Sequence, residues 1–239
     1  MRLRQSKIDN ILFLDIETVP EVYKFSELDE KTGELYLQKN RYLIERDELS
    51  NDEIYERAGV FAEFGKIVCI SVGVVRNNSM GEKTITMKSY ASHDEHKLLT
   101  EFAEMIAKSY NSPAHSMCGH NAKEFDFPFI ARRMLLNGID IPAILDIAGK
   151  KPWEVNLLDT MELWKFGDYK HYTSIALLCH IFKVPTPKDD ISGADVARVY
   201  YEEDDLPRIT IYCEKDVIAL IQLFLKFRNE GLVKEDNIK

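Results

Sequence analysis

A chain of 239 residues with a formal net charge of −9 has room for one large domain or two small ones. It is too acidic to grip long duplex nucleic acid through the phosphates, which takes a basic surface. Hydrophobic residues make up 45% and charged residues 30%, the balance of an ordinary globular protein. No apolar run is long enough to span a bilayer, and the basic opening Met1-Arg2-Leu3-Arg4-Gln5 has no apolar signal core. A cytoplasmic protein with no membrane partner is expected. Cys69, Cys118, Cys179 and Cys213 form no C-x-x-C pair and read as reduced packing residues rather than zinc ligands.

The first element is the run Ile11-Leu12-Phe13-Leu14-Asp15-Ile16-Glu17-Thr18, a buried strand over 11–17 by its apolar content. Strand side chains alternate faces, so Asp15 and Glu17 share one face while Leu14 and Ile16 share the other. The highly charged stretch from Glu21 to Gly59 reads as a surface excursion of irregular structure and short helices, a charged insertion over about 21–62. Ile67 to Val75 is a second strand. Thr84 to Tyr90 is its partner, across a turn at Asn77-Asn78-Ser79 near Gly81. A helix begins at His93-Asp94-Glu95 and carries Leu98, Leu99, Phe102, Met105 and Ile106 at helical spacing.

Ser116 to His120 is a short strand leaving into a loop, and Phe127 to Asn137 a helix with Pro128 in its first turn and Gly138 beyond its end. Asn156 to Asp159 is another short strand. Helices follow over about 173–182, 194–201 and 206–228. There is no internal repeat or Pro/Gly/Ser-rich linker. The order predicts one α/β domain over 1–239 built on a mixed sheet flanked by helices.

Two adjacent carboxylates at the end of a buried strand repel each other and lose solvation, and a divalent cation between them relieves both; the other reading of the pair is the start of a solvated turn, since Pro20 follows closely. Two further groups of acids have ordinary readings when taken alone. Asp126, closing Gly119-His120-Asn121-Ala122-Lys123-Glu124-Phe125-Asp126, stands at a helix start and reads as an N-cap. Tyr212 and Asp216 lie four apart on one face of the last helix, which a rim tyrosine and an ion-paired aspartate would satisfy. Asp159 also reads as a helix cap.

Taken together in this order, Asp15-Ile16-Glu17, Asn121 through Phe125-Asp126, and Tyr212 with Asp216 resemble the three motifs of the DEDD superfamily of 3′–5′ exonucleases, which share an RNase H-like fold. The tyrosine four residues before the last aspartate resembles the tyrosine subclass. The histidine subclass would place histidine where Ile211 stands. The opening Asp15 to Pro20, the strand entry Phe64-Gly65-Lys66-Ile67-Val68 and the stretch Ile191 to Val196 further resemble stand-alone exonuclease domains related to the proofreading domain of family B DNA polymerases. That resemblance covers a core of about 10–228.

The resemblance implies that Asp15, Glu17, Asp126 and Asp216 hold two divalent cations, Mg²⁺ or Mn²⁺. Asp15 would bridge both, and Glu17 and Asp216 would complete one site. Oxygen ligands suit such hard ions, and a pair ~4 Å apart stabilises both the attacking and the leaving oxygen of an in-line displacement. It also implies that Tyr212 orients the attacking water, that the products are nucleoside 5′-monophosphates, and that the partner is the 3′ end of single-stranded DNA or RNA. An acidic protein can take such an end because a metal supplies local positive charge.

Thr18 would present its backbone N–H or hydroxyl to the terminal nucleotide. Asn121 would contact the strand or fix the loop that carries Asp126, and Phe125 would pack beneath that loop. Lys165, Lys170, His171 and Tyr172 mix cations with aromatics, as single-strand sites do, whereas Trp153 and Trp164 read as packing. Two other readings stand beside the exonuclease. One is a non-catalytic nucleic-acid-binding or scaffold module retaining the fold. The other is a two-metal phosphoesterase acting on small nucleotides.

Overall fold

A five-stranded mixed sheet in the order β3-β2-β1-β4-β5 forms the centre of the computed structural model, which describes residues 7–151, 154–168, 172–186 and 191–239. In chain order the elements are β1 (Ile11–Pro20), α1 (Glu30–Asp47), α2 (Asn51–Tyr55), β2 (Gly65–Asn77), β3 (Lys83–Ala91), α3 (Glu95–Ser109), β4 (Ser116–Gly119) and α4 (Asp126–Leu136). After them come β5 (Leu157–Asp159), α5 (Thr160–Lys165), α6 (Ile175–Phe182), α7 (Val196–Tyr201) and α8 (Leu206–Phe227). The pairs β1/β2 and β2/β3 are antiparallel, and β1/β4 and β4/β5 are parallel. The expected mixed-sheet α/β architecture is present.

The alternation in β1 sorts two cores. Leu12, Leu14 and Ile16 pack with Leu98, Leu99 and Phe102 of α3 and with Phe127, Ile130 and Met134 of α4. Ile11 and Phe13 face the other way, against Val217, Leu220, Ile221 and Phe224 of α8, where the rings of Phe13 and Phe224 meet edge-on at 5.2 Å. Asp15 and Glu17 continue the Phe13 side and therefore face α8.

Gly73 of β2 is what lets α8 approach. A Cβ there would lie 2.7 Å from Ile221 Cδ1, 2.9 Å from Met87 Sδ and 3.0 Å from Val217 Cγ1. The β1/β2 ladder shifts register between Glu17 and Thr18, a bulge that bends the strand just past the acids.

The segment after β1 departs from expectation. In place of irregular structure with only short helices it contains the 18-residue α1 beside the short α2, with a small core of its own around Tyr36, Ile54, Tyr55, Ala58 and Phe64. The buried positions of α1 are Gly33, Tyr36 and Asn40. This stripe of a glycine, a phenol and an amide carries little hydrophobic signal, and Leu35 and Tyr42 point outward. The helix is started by Asp29, whose side chain accepts from Thr32 N at 3.0 Å. Its small core is fixed by the Tyr36 hydroxyl, which donates to Ile54 O at 2.6 Å.

Buried Arg133 of α4 ties this segment to the helices. It donates to both Glu95 oxygens, to Ala62 O and to Glu21.

Candidate active site

Three elements carry the acids to one place. β1 supplies Asp15 and Glu17, the start of α4 supplies Asp126, and the middle of α8 supplies Tyr212 and Asp216. Glu17 and Asp126 are buried, while Asp15, Tyr212 and Asp216 are half-buried. Burial raises the Asp15 carboxyl well above the usual range, and the charges of Asp126, Glu17 and Asp216 push it further. Glu17 is raised by burial first and then by Asp216. Asp126 is pushed up to about 7, again chiefly by burial, although backbone N–H groups of its own residue and Ile16 favour its ionised form.

The start of α4 differs from the sequence expectation at Asp126. Phe125 occupies the cap position, with no side-chain cap bond, and Asp126 is the first helical residue, 4% exposed. Its carboxylate faces the other acids, and helix capping does not account for it.

The loop before α4 is shaped by Gly119, Asn121 and Asp159. A Cβ on Gly119 would sit 2.3 Å from that of Ala122, so only glycine allows the chain to turn back there. Asn121 has a positive φ of 61°, a conformation asparagine tolerates better than most residues. Asp159 caps α5 as expected, accepting from Met161 N at 2.9 Å and Glu162 N at 3.3 Å. It also reaches back to accept from Asn121 N and Lys123 N, both at 3.0 Å. One buried carboxylate thus fixes the loop leading to Asp126. His120 bridges the same region, its ring nitrogens 2.8 Å from Thr160 Oγ1 and 2.9 Å from Thr173 O.

Tyr212 and Asp216 stand one turn apart on α8. Burial, then the charges of Asp216, Glu17 and Asp15, then a hydrogen bond to Asp216 raise the phenol far above its ordinary value. Tyr212 is therefore a proton-bearing group across the whole working pH range. The Thr18 hydroxyl donates to Gly59 O at 2.7 Å, which commits it to the fold.

Cys213 was expected only to pack. It is buried, and its thiol lies 3.4 Å from Asp15 O and 3.7 Å from Asp15 Oδ2. One ligand atom each of Asp15, Glu17 and Cys213 falls within 4.8 Å of the other two. Burial, then Cys69 and the charges of Asp15 and Glu17, hold Cys213 as a neutral thiol, suited to donating to Asp15 rather than to ligating a hard cation.

The donor chemistry fits divalent cations that prefer oxygen. Carboxylates from three elements converge, and their own repulsion, on top of burial, disfavours the ionised form.

Other candidates fall into place around this site. Phe125 packs on Phe129 at 5.4 Å between ring centroids, and Trp164 packs against Phe182 and Phe227. All four cysteines are free and buried. Trp153, Lys170 and His171 lie outside the described residues. Among the described residues no helix is long and apolar enough to cross a membrane.

A family model described as a predicted 3′–5′ exonuclease related to the exonuclease domain of PolB matches residues 61–238. No curated protein matches the chain. Among solved structures, the family B DNA polymerase of the archaeon Pyrobaculum calidifontis superposes with a TM-score of 0.56 at 13% identity, over 90% of this chain and 24% of that one. The chain thus spans about a quarter of the polymerase, and the likeness identifies the fold as the RNase H-like one expected from the motifs. The RNase domain of the yeast Pop2 protein matches with a TM-score of 0.46 at 10% identity, over 95% of this chain and 80% of that one. E. coli Exonuclease I in complex with a dT13 oligonucleotide matches with a TM-score of 0.40 at 12% identity, over 84% of this chain and 42% of that one.

Proposed function

From a chain that belongs to the family of predicted 3′–5′ exonucleases related to the exonuclease domain of PolB, we propose a metal-dependent enzyme that releases nucleoside 5′-monophosphates from the 3′ end of single-stranded DNA or RNA. The observation that supports the reading is that Asp15, Glu17, Asp126 and Asp216 lie within electrostatic reach of one another beside the sheet, with Tyr212 one helical turn from Asp216.

In this reading Asp15, Glu17, Asp126 and Asp216 hold two divalent cations, Mg²⁺ or Mn²⁺. Bound there, such ions polarise a phosphodiester and lower the pKa of water. The remaining work belongs to the chain itself. The Tyr212 hydroxyl keeps its proton and positions the attacking water by hydrogen bonding, with Asp216 fixing the ring's tip. Cys213 donates to the Asp15 carboxylate and orients it. Asp159 fixes the loop through Asn121 and Lys123, so that Asp126 and the Asn121 side chain meet the strand in one conformation. The backbone N–H of Thr18, beside the bulge, meets the terminal nucleotide.

The test follows 5′-labelled single-stranded DNA and RNA of one sequence with Mg²⁺, with Mn²⁺ or with chelator, wild type beside Asp15→Ala. A ladder that shortens from the 3′ end, and is absent with chelator and with the variant, is the expected result. Intact substrates under every condition would refute the reading.

A further inference from the structure

Two aromatic residues that follow α5 are exposed, and one of them is bonded to the loop that carries Asp126. Phe166 is 88% exposed and Tyr172 is 65% exposed. Phe166 ends α5 in the left-handed region with φ 45°, where glycine is the favoured residue and a bulky ring is strained. Gly167 beside it has a positive φ of 90° of its own, so two successive residues turn the chain here. The Lys165 ammonium lies 4.4 Å from the centroid of the Tyr172 ring, and among the described residues Lys165 has no carboxylate partner.

Hydrogen bonds join this group to the loop that carries Asp126. The Tyr172 hydroxyl donates to Glu124 Oε2 at 2.7 Å, two residues before Asp126. At the other end of α5, about 9 Å away by helical rise, Asp159 holds the same loop through Asn121 and Lys123.

We propose that Phe166 and Tyr172, with Lys165, form a stacking platform for the unpaired bases of a single-stranded nucleic acid whose 3′ end lies among the four acids. The proposal rests on the exonuclease reading for the position of that end. Exposed rings interleaved with a cation are what a strand with bare bases and a charged backbone requires, because every base has a π-face and every link a phosphate. The platform is continuous with the loop carrying Asp126, and its cation complements the phosphates in a chain that is otherwise acidic. A protein partner would meet the same rings without needing that continuity, and a duplex would hide its bases from them.

Binding of a short 5′-fluorescein oligothymidylate, followed by anisotropy in Ca²⁺, tests the platform with Phe166→Gly, Phe166→Trp and Tyr172→Ala. Removal of either ring is expected to weaken binding about 10-fold, and Phe166→Trp to retain it. Glycine fits the backbone at position 166, so Phe166→Gly should melt no lower than wild type, which separates lost stacking from lost fold. Hydrolysis of the p-nitrophenyl ester of thymidine 5′-monophosphate, too small to reach the platform, should be unchanged in both Phe166 variants. Wild-type affinity in both Phe166→Gly and Tyr172→Ala, or equal losses on blunt duplex, would overturn the platform and leave the exonuclease reading standing if the wild type shortens the strand. A wild type that cleaves nothing but binds single strands through these rings would overturn the exonuclease reading alone. One that neither cleaves nor binds would overturn both.

Discussion

Without metal, the acids should make the protein less stable as pH rises, and Asp126→Asn should remove much of that loss. Asp126 moves from an ordinary 3.8 to about 7 in the fold. Between those values the folded state binds more protons than the unfolded chain, so its stability falls as pH increases and the full penalty is present above about pH 7. A shift of roughly three units corresponds to about 4 kcal/mol. Asp126 also raises Asp15, so the substitution relieves a second carboxyl.

Asparagine keeps the shape and one oxygen acceptor for the backbone N–H of Ile16. In a chain of this length each kcal/mol moves the melting temperature by about 2–4 °C, which puts Asp126→Asn about 10 °C above wild type at pH 8 in chelator. The two should converge below about pH 4, where the aspartate is protonated in both states. Saturating Mn²⁺ should raise the wild type by about 3 kcal/mol at a hundredfold excess over the dissociation constant and the variant by less. The assay is thermal unfolding by circular dichroism over this pH range, with chelator and with Mn²⁺. Parallel curves for the two proteins in chelator would refute the electrostatic account of the cluster.

Other substitutions test the supports of the site. Asp159→Ala removes the acceptor of four backbone N–H groups and should cost about 3 kcal/mol in urea unfolding, more than loss of a helix cap alone. Nuclease activity should fall with it. Gly73→Ala drives a methyl into Ile221, Met87 and Val217. About 1–3 kcal/mol should be lost, with kcat lowered through displacement of α8, while a neutral result would mean the helix shifts freely. Arg133→Ala strands Glu95, which is 8% exposed, and should cost about 3–5 kcal/mol by chemical denaturation. Double substitution to apolar residues should recover part of that.

What the sequence carried plainly was whatever depends on neighbours along the chain. Alternation in β1 put Asp15 and Glu17 on one face, and a four-residue spacing put Tyr212 above Asp216. Asp159 before a helical run reads as a cap because that bond spans only two or three residues. The rest depends on partners far away in the chain. The same Asp159 holds Asn121 and Lys123, 38 and 36 positions earlier, and nothing local signals that second task. Asp126 misleads in the opposite sense, since an acid at a helix start has an ordinary local use and only the strand behind it gives it another.

Cys213 is the sharpest case. In an apolar helical stripe a thiol is indistinguishable from any small packing residue, yet its Sγ meets the carboxylate of Asp15, 198 positions away. The length of α1 escaped the sequence for a related reason, because, of its buried positions Gly33, Tyr36 and Asn40, only Tyr36 adds to an apolar stripe. The buried Tyr36 hydroxyl and Asn40 amide are satisfied by the main chain of Ile54 and of Tyr36. The Tyr36 bond forms only once the segment has folded back on itself, whereas the Asn40 bond is made one turn back within α1.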